Sequence, residues 1–276
     1  MLFHSAQACK IKLVERDMEN NKMSYVSAVT HESKIDNIVK MSKEDFLKYA
    51  SKADNLRKAG QYKESVACYL QSIMLERNNY RSYLGLGQSY KYLNDYDKAI
   101  KTLEKSAQIN PTDYKVFYEM GICYLLKAMP EEAIKCFQKS VMLDRSQLDV
   151  QLQLALAHEL VDEKDMAMLI YNKLIEEHPE YLKASSHKAA LLICDGKYLE
   201  ASKIFFDILK RNPDFHRAYF GLAVCFDNLK KVSEARRFYS KFLKIKPHSS
   251  HADYVKERLN ALKPTSSARP EYLSLV

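Results

Sequence analysis

Residues 80–111 read YRSYLGLGQSYKYLNDYDKAIKTLEKSAQINP, and this stretch decides the fold. Set 34 residues further along, it aligns Gly87 with Gly121, Ala99 with Ala133 and Leu103 with Phe137. Extended along the chain, the interval holds without insertion or deletion from residue 46 to 249. Ala53, Gly87, Gly121, Ala155, Ala189 and Ala223 are all small. So are Ser65, Ala99, Ala133, Ala167, Ala201 and Ala235. Tyr69, Leu103, Phe137, Tyr171, Phe205 and Tyr239 are all large. Pro111, Pro179, Pro213 and Pro247 close their units, with Arg77 and Arg145 in the other two places.

The spacing inside a unit gives helices. Phe117, Met120, Gly121 and Tyr124 lie at i, i+3, i+4 and i+7, one apolar stripe. Ala133, Phe137 and Val141 form a second stripe at i, i+4 and i+8. Between them Lys127-Ala128-Met129-Pro130 turns the chain, with Pro130 suited to a first helical turn. Small residues let the two helices approach, and the large lattice residue fills the space beside them. The residue before proline disfavours helical geometry, so Asn-Pro or His-Pro ends the second helix. One such hairpin cannot bury its own face, so neighbours must stack.

The pattern resembles the tetratricopeptide repeat family over residues 46–249. The resemblance implies an all-α fold: a right-handed α-solenoid of six antiparallel helix pairs. Residues 250–262 predict a capping helix with Ala252, Val255, Leu259 and Leu262 on its stripe. Residues 1–45 follow no repeat and read as a polar lead-in, with Ser42-Lys43-Glu44-Asp45 opening the first helix. Residues 263–276 read as a flexible tail. Gln151 and Ser185 stand where the pattern expects an aromatic, His158 where it expects Tyr, and Lys52 and Lys188 where it expects Leu. The fourth and fifth units are therefore expected to be the softest. Pentatricopeptide repeats have a nearby period but read RNA with polar inward residues; here those places are aliphatic. Sel1-type repeats are longer than 34.

Composition narrows the class further. Hydrophobic residues at 47% with 28% charged suit a folded chain. Six Gly and seven Pro are too few for an all-β fold. No run of 18 apolar residues occurs. The cysteines Cys9, Cys68, Cys123, Cys136, Cys194 and Cys225 contain no Cys-x-x-Cys pair, and a reducing cytoplasm is the expected compartment. Residues 182–276 carry 18 Lys+Arg against 9 Asp+Glu, whereas residues 1–181 carry 25 against 26. The surplus of positive charge therefore lies in the last third.

No catalytic constellation can be named, so no enzyme activity and no cofactor are expected. Gly85-Leu86-Gly87 opens like a dinucleotide fingerprint, but Tyr90 stands at the third glycine and no strand precedes it. His248 and His251 have no evident third metal ligand.

In the resembling family the first helices line a concave groove. Carried onto this chain, the groove residues are Leu84, Gln88, Tyr118, Ile122, Leu125, Leu152, Leu156, Ala190, Ile193, Phe220 and Val224, with Ser186, Glu159 and Asp227 among them. The edge carries Arg81, Lys115, Glu119, Lys183, His187 and Arg217. An apolar second face is not demanded by stacking, so the expected function is a non-enzymatic adaptor binding a peptide or amphipathic helix of another protein. Some family members hold a chaperone's C-terminal carboxylate with Lys, Asn and Arg. Here those places hold Ala50, Asp54, Gly85, Lys115 and Glu119, so that clamp is absent. The alternative reading is a basic surface for nucleic acid or anionic lipid, built by Lys230, Lys231, Arg236, Arg237, Lys241, Lys244 and Lys246. Ser274-Leu275-Val276 also fits a PDZ-type terminal ligand.

Overall fold

The computed structural model describes residues 44–262. The lead-in 1–43 and the tail with Ser274-Leu275-Val276 lie outside the described residues. Helices account for 79% of the described residues, and no strand occurs among them. They form two compact units divided after Thr112.

The first unit holds α1 (44–58), α2 (Tyr62–Leu75), α3 (Tyr80–Tyr92) and α4 (Tyr96–Ile109). The second holds α5 (Tyr114–Leu126), α6 (Pro130–Leu143), α7 (Leu148–Leu160), α8 (Lys164–Glu177), α9 (Leu182–Cys194), α10 (Tyr198–Arg211), α11 (His216–Asn228), α12 (Val232–Ile245) and α13 (Ala252–Ala261). Within the second unit each helix packs on the next, and α9 also touches α11. Each unit is thus a stack of helix hairpins, the all-helical repeat architecture that the 34-residue interval predicts.

All eighteen residues of the three packing lattices are buried. Glycine is needed where a second helix presses closest. A Cβ on Gly121 would lie 2.5 Å from the Phe137 ring, and one on Gly221 would lie 2.3 Å from Phe205. Gly85 and Gly87 likewise sit mid-helix in α3 against Tyr69 and Leu103, as close packing and not as a phosphate cradle.

Two further lattices escape a reading by polarity. Ser72, Ser106, Ser140, Leu174, Ile208 and Phe242 are all buried. Ser106 Oγ donates to the Tyr80 carbonyl at 2.8 Å and Ser140 Oγ to that of Tyr114 at 2.9 Å, each tying a second helix to the start of its own first helix. In the later units aliphatic or aromatic bulk fills that place.

The second hidden lattice is conformational. Gly60, Asn94, Ala128, Asp162, Gly196 and Lys230 recur every 34 residues, and all have positive φ. Each ends a first helix in a Schellman turn; Met129 N–H, for example, reaches the Tyr124 carbonyl at 2.9 Å. Ala128 holds φ 56°, a region its Cβ disfavours. Ala128→Gly is therefore expected to stabilise the chain by roughly 0.5–1 kcal/mol. A thermal melt checks this; an unchanged or lowered midpoint would contradict the strain.

Candidate functional site

Every first helix repeats one register, so the exposure of each place follows from what lies beneath it. In the first unit, Leu84 and Gln88 of α3 are half-buried and Arg81 is exposed, its guanidinium 5.8 Å from the Tyr80 ring. One further turn along the same face stands Tyr92, exposed and stacked on Tyr62 at 4.6 Å.

In the second unit, Tyr118 and Ile122 of α5 and Leu156 of α7 are half-buried, packed at their bases on the core and open at their tips. Leu152 differs. It is only 4% exposed, enclosed with Ala155, Tyr171 and Leu191, and presents nothing to a partner. Ser186 is buried as well, and Ala190 is exposed. Leu125 and Ile193 are half-buried too, packed on the core in the same way.

The expected row took an i+3 step at its last turn, to Leu125, Glu159, Ile193 and Asp227. The face itself continues by i+4, to Leu126, Leu160, Cys194 and Asn228. Leu126 is 51% exposed and Leu160 66%, although both are leucines at helix positions. These two are the strongest apolar features of the face, and the sequence signal for them was the i, i+4, i+8 run Tyr118-Ile122-Leu126. A matching run, Leu152-Leu156-Leu160, stands on α7.

The i+3 places have a different task. Glu159 accepts a hydrogen bond from the buried Tyr171 hydroxyl, and Asp227 accepts one from Tyr239 at 3.2 Å. In the first unit Tyr69 donates to Asp54. Where the lattice ring is Phe137 or Phe205, the residue twelve places earlier is Leu125 or Ile193. A buried hydroxyl thus meets an acid and a buried hydrocarbon ring meets an aliphatic side chain. Burial raises the Glu159 pKa, opposed by the Tyr171 hydrogen bond.

The edge charges are mostly used within the fold. Lys183 of α9 donates to Asp149 of α7 at 2.8 Å, and Tyr181 donates to the same carboxylate at 2.6 Å. The Lys183 hydrogen bond, then that of Tyr181, lowers the Asp149 pKa. Arg217 of α11 donates to His187 Nε2 of α9 at 3.2 Å. Burial first, then Arg217 and Lys183, lowers the His187 pKa and favours the neutral ring that can accept. These links hold the first helices α7, α9 and α11 side by side. Lys115 is exposed. Glu119, expected at the edge, is 8% exposed and belongs to the interior.

The far end of the row is covered by this chain itself. The Phe220 ring lies 4.8 Å from His251 and 6.2 Å from Tyr254 at the start of α13. Val224 remains half-buried beyond it. The open apolar face therefore centres on α5 and α7.

Of the basic cluster, Arg236 donates to the carbonyls of Leu259 and Leu262 and so ties down the end of α13. Arg237, Lys241 and Lys244 stay exposed on α12. Among the described residues Cys123 and Cys225 are buried, and burial pushes the Cys225 thiol up to about 12. No helix among the described residues is long and apolar enough to cross a membrane.

Comparison with known proteins bears on this arrangement. The family model described as intraflagellar transport protein 56 matches residues 83–265, and a tetratricopeptide repeat model matches residues 51–114. No curated protein sequence matches the chain. Among solved structures, PilW, a widely conserved type IV pilus biogenesis factor, is similar with a TM-score of 0.66 and 15% identity, over 76% of this chain and 98% of that one. PilF of Pseudomonas aeruginosa gives 0.63 and 12%, over 79% and 99%. YrrB, described as a TPR protein with an unusual peptide-binding site, gives 0.51 and 17%, over 68% and 97%. At these identities the likeness is one of fold alone. By the match over residues 83–265, the chain belongs to the family of intraflagellar transport protein 56, and by its repeats it is a tetratricopeptide-repeat protein.

Proposed function

We propose that the chain is a non-enzymatic adaptor that captures an apolar-anchored peptide or amphipathic helix of another protein on the first-helix face of α5, α7 and α9. One observation carries the reading: Leu126 and Leu160 project into solvent on matched i, i+4, i+8 rows, next to the half-buried Tyr118, Ile122 and Leu156. Stacking does not need these tips, and contiguous exposed apolar surface on a rigid scaffold suits a partner's side chains. Anchors spaced three and four residues apart on a partner helix would fit such rows. The family is named for a protein of intraflagellar transport, and YrrB is described by its peptide-binding site; a scaffold that holds protein segments agrees with both. Cysteines buried as thiols in the helix pairs suit a reducing compartment such as the cytoplasm.

Selection from a displayed library of short peptides tests the reading. The wild-type chain is expected to enrich peptides with two or more apolar anchors. Leu126→Asp/Leu160→Asp should weaken the best of them by at least about tenfold, since each lost apolar anchor is worth about 1.5–3 kcal/mol when buried. Helical content should stay unchanged, because both side chains are already in water. Enriched peptides that bind the double variant equally well would place the site elsewhere, and no enrichment at all would refute the groove.

A further inference from the structure

α12 has two unlike faces. Ala235, Tyr239 and Phe242 point into the core. Arg237, Ser240, Lys241 and Lys244 point outward and are exposed. Beside them Tyr219 of α11 and Phe238 complete the lining of a shallow pocket of about 430 Å³. Among the described residues, none of these three cations has a carboxylate within salt-bridge distance. Acids on α10, α11 and α12 are engaged elsewhere. Asp207 pairs with Lys210 at 2.9 Å, and Asp227 pairs with Arg258 at 2.8 Å. Glu234, also on α12, accepts from Ser233 at 2.7 Å.

Cations without a carboxylate partner beside a half-apolar pocket call for an anion that carries hydrocarbon. The aromatic faces argue against nucleic acid. Lys241 lies over Tyr219 at 5.8 Å, Arg237 lies over Phe238 at 6.0 Å, and Phe238 is stacked on Phe226 at 5.5 Å. The rings offer no free platform on which bases could stack. The cation spacing is also informative. Arg237, Lys241 and Lys244 follow one another by four and three residues, about 6 Å and about 4.5 Å along the helix axis. Carboxylates on a partner helix recur at the same two intervals. Alternate residues of an extended strand recur every ~6.7 Å and drift out of step.

We propose that the outer face of α12, with Tyr219, is a docking surface for an acidic helix of a partner protein, its carboxylates on Arg237, Lys241 and Lys244 and an apolar side chain in the pocket that Tyr219 and Phe238 line. This surface is separate from the first-helix face and does not rest on that reading. The test uses the full chain and a stapled helical peptide with three Glu at four- and three-residue spacing and one Leu, followed by fluorescence anisotropy. Its counterpart carries Gln for Glu. A short oligouridylate and phosphatidylserine vesicles serve as the other two probes. The wild-type chain is expected to bind the acidic peptide more tightly than all three, and the binding is expected to weaken as salt rises. Lys241→Glu/Lys244→Glu should lose at least about tenfold in affinity, and Lys241→Gln/Lys244→Gln a smaller amount, with unchanged helical content. Leu126→Asp/Leu160→Asp should bind like wild type. Equal affinity for the Gln peptide, no detectable binding, or indifference to charge reversal overturns the proposal. Tighter, reversal-sensitive binding of oligouridylate or vesicles overturns it in favour of nucleic acid or a lipid surface.

Discussion

Gly121→Leu is expected to destabilise the second unit by roughly 1–3 kcal/mol, the range for forcing extra methylenes into a packed interior. A single Cβ at this place would already stand 2.5 Å from Phe137 Cε1 and 2.8 Å from two more ring atoms. Phe137 has no room to retreat, because it is fully buried among Ala133, Val150, Leu154 and Ala157. The two helices must therefore separate, which loosens α5 on α6. For a chain of this size the melting midpoint should fall by about 2–4 °C per kcal/mol. Hydrogen exchange should quicken first in α5 and α6, since repeat stacks lose stability locally before they lose it everywhere. Lys135→Gln, an exposed change on α6, should cost less than about 0.5 kcal/mol. If the two variants melt alike, Gly121 does not face Phe137.

The same residues show why the fold was legible. A lattice place such as 121 or 133 admits only small side chains because another helix lies against it, so the constraint is written into residue size. Pro130 at the first position of α6 and the extended backbone of Asn110 before Pro111 are written in the same way. The Schellman lattice was not legible, because Asn94, Ala128, Asp162 and Lys230 tolerate positive φ where a reader looks for glycine. The buried serines were hidden for a related reason. A hydroxyl that finds a carbonyl 26 residues away looks like surface until the hairpin closes.

The candidate face was legible in part. Apolar residues at 118, 122 and 156 stand out against the core stripe, and the row expected to run on to Leu125 and Glu159 has the more exposed Leu126 and Leu160 beside it. A helix of 3.6 residues per turn leaves i+3 and i+4 as neighbours, and only the facing helix decides which of them is covered. Leu152 and Glu119 were misplaced for the same reason. The sequence register does not say how deeply α7 and α5 sink between their neighbours. Arg236 could not be told from Arg237 by charge, because its use lies in the carbonyls at the end of α13.

Asp227→Ala is expected to release α13, at a cost of roughly 2–3 kcal/mol. The Asp227 side chain is 10% exposed and receives three donors. Arg258 gives Nε and Nη2 at 2.9 and 2.8 Å, and Tyr239 gives its hydroxyl at 3.2 Å. Removing one partner of a buried charged pair costs about 3–5 kcal/mol. Here Arg258 is 37% exposed and regains water, which brings the figure down. The Tyr239 hydroxyl is fully buried and loses its acid, keeping only its hydrogen bond with Tyr254. Once α13 lifts, Val255 and the Phe220 ring lose their cover, and the apolar end of the stack meets water. Asp253→Asn makes the right comparison. Its partner Lys256 also lies at 2.9 Å, but both side chains stand in solvent, so the midpoint should barely move. Thermal melts of the two variants, with hydrogen exchange over residues 252–261, separate the cases. Rapid exchange confined to α13 in Asp227→Ala is the expected result. Equal midpoints for the two variants would mean that the cap is held by apolar contact alone, and that the acid on α11 serves only the tyrosine beneath it.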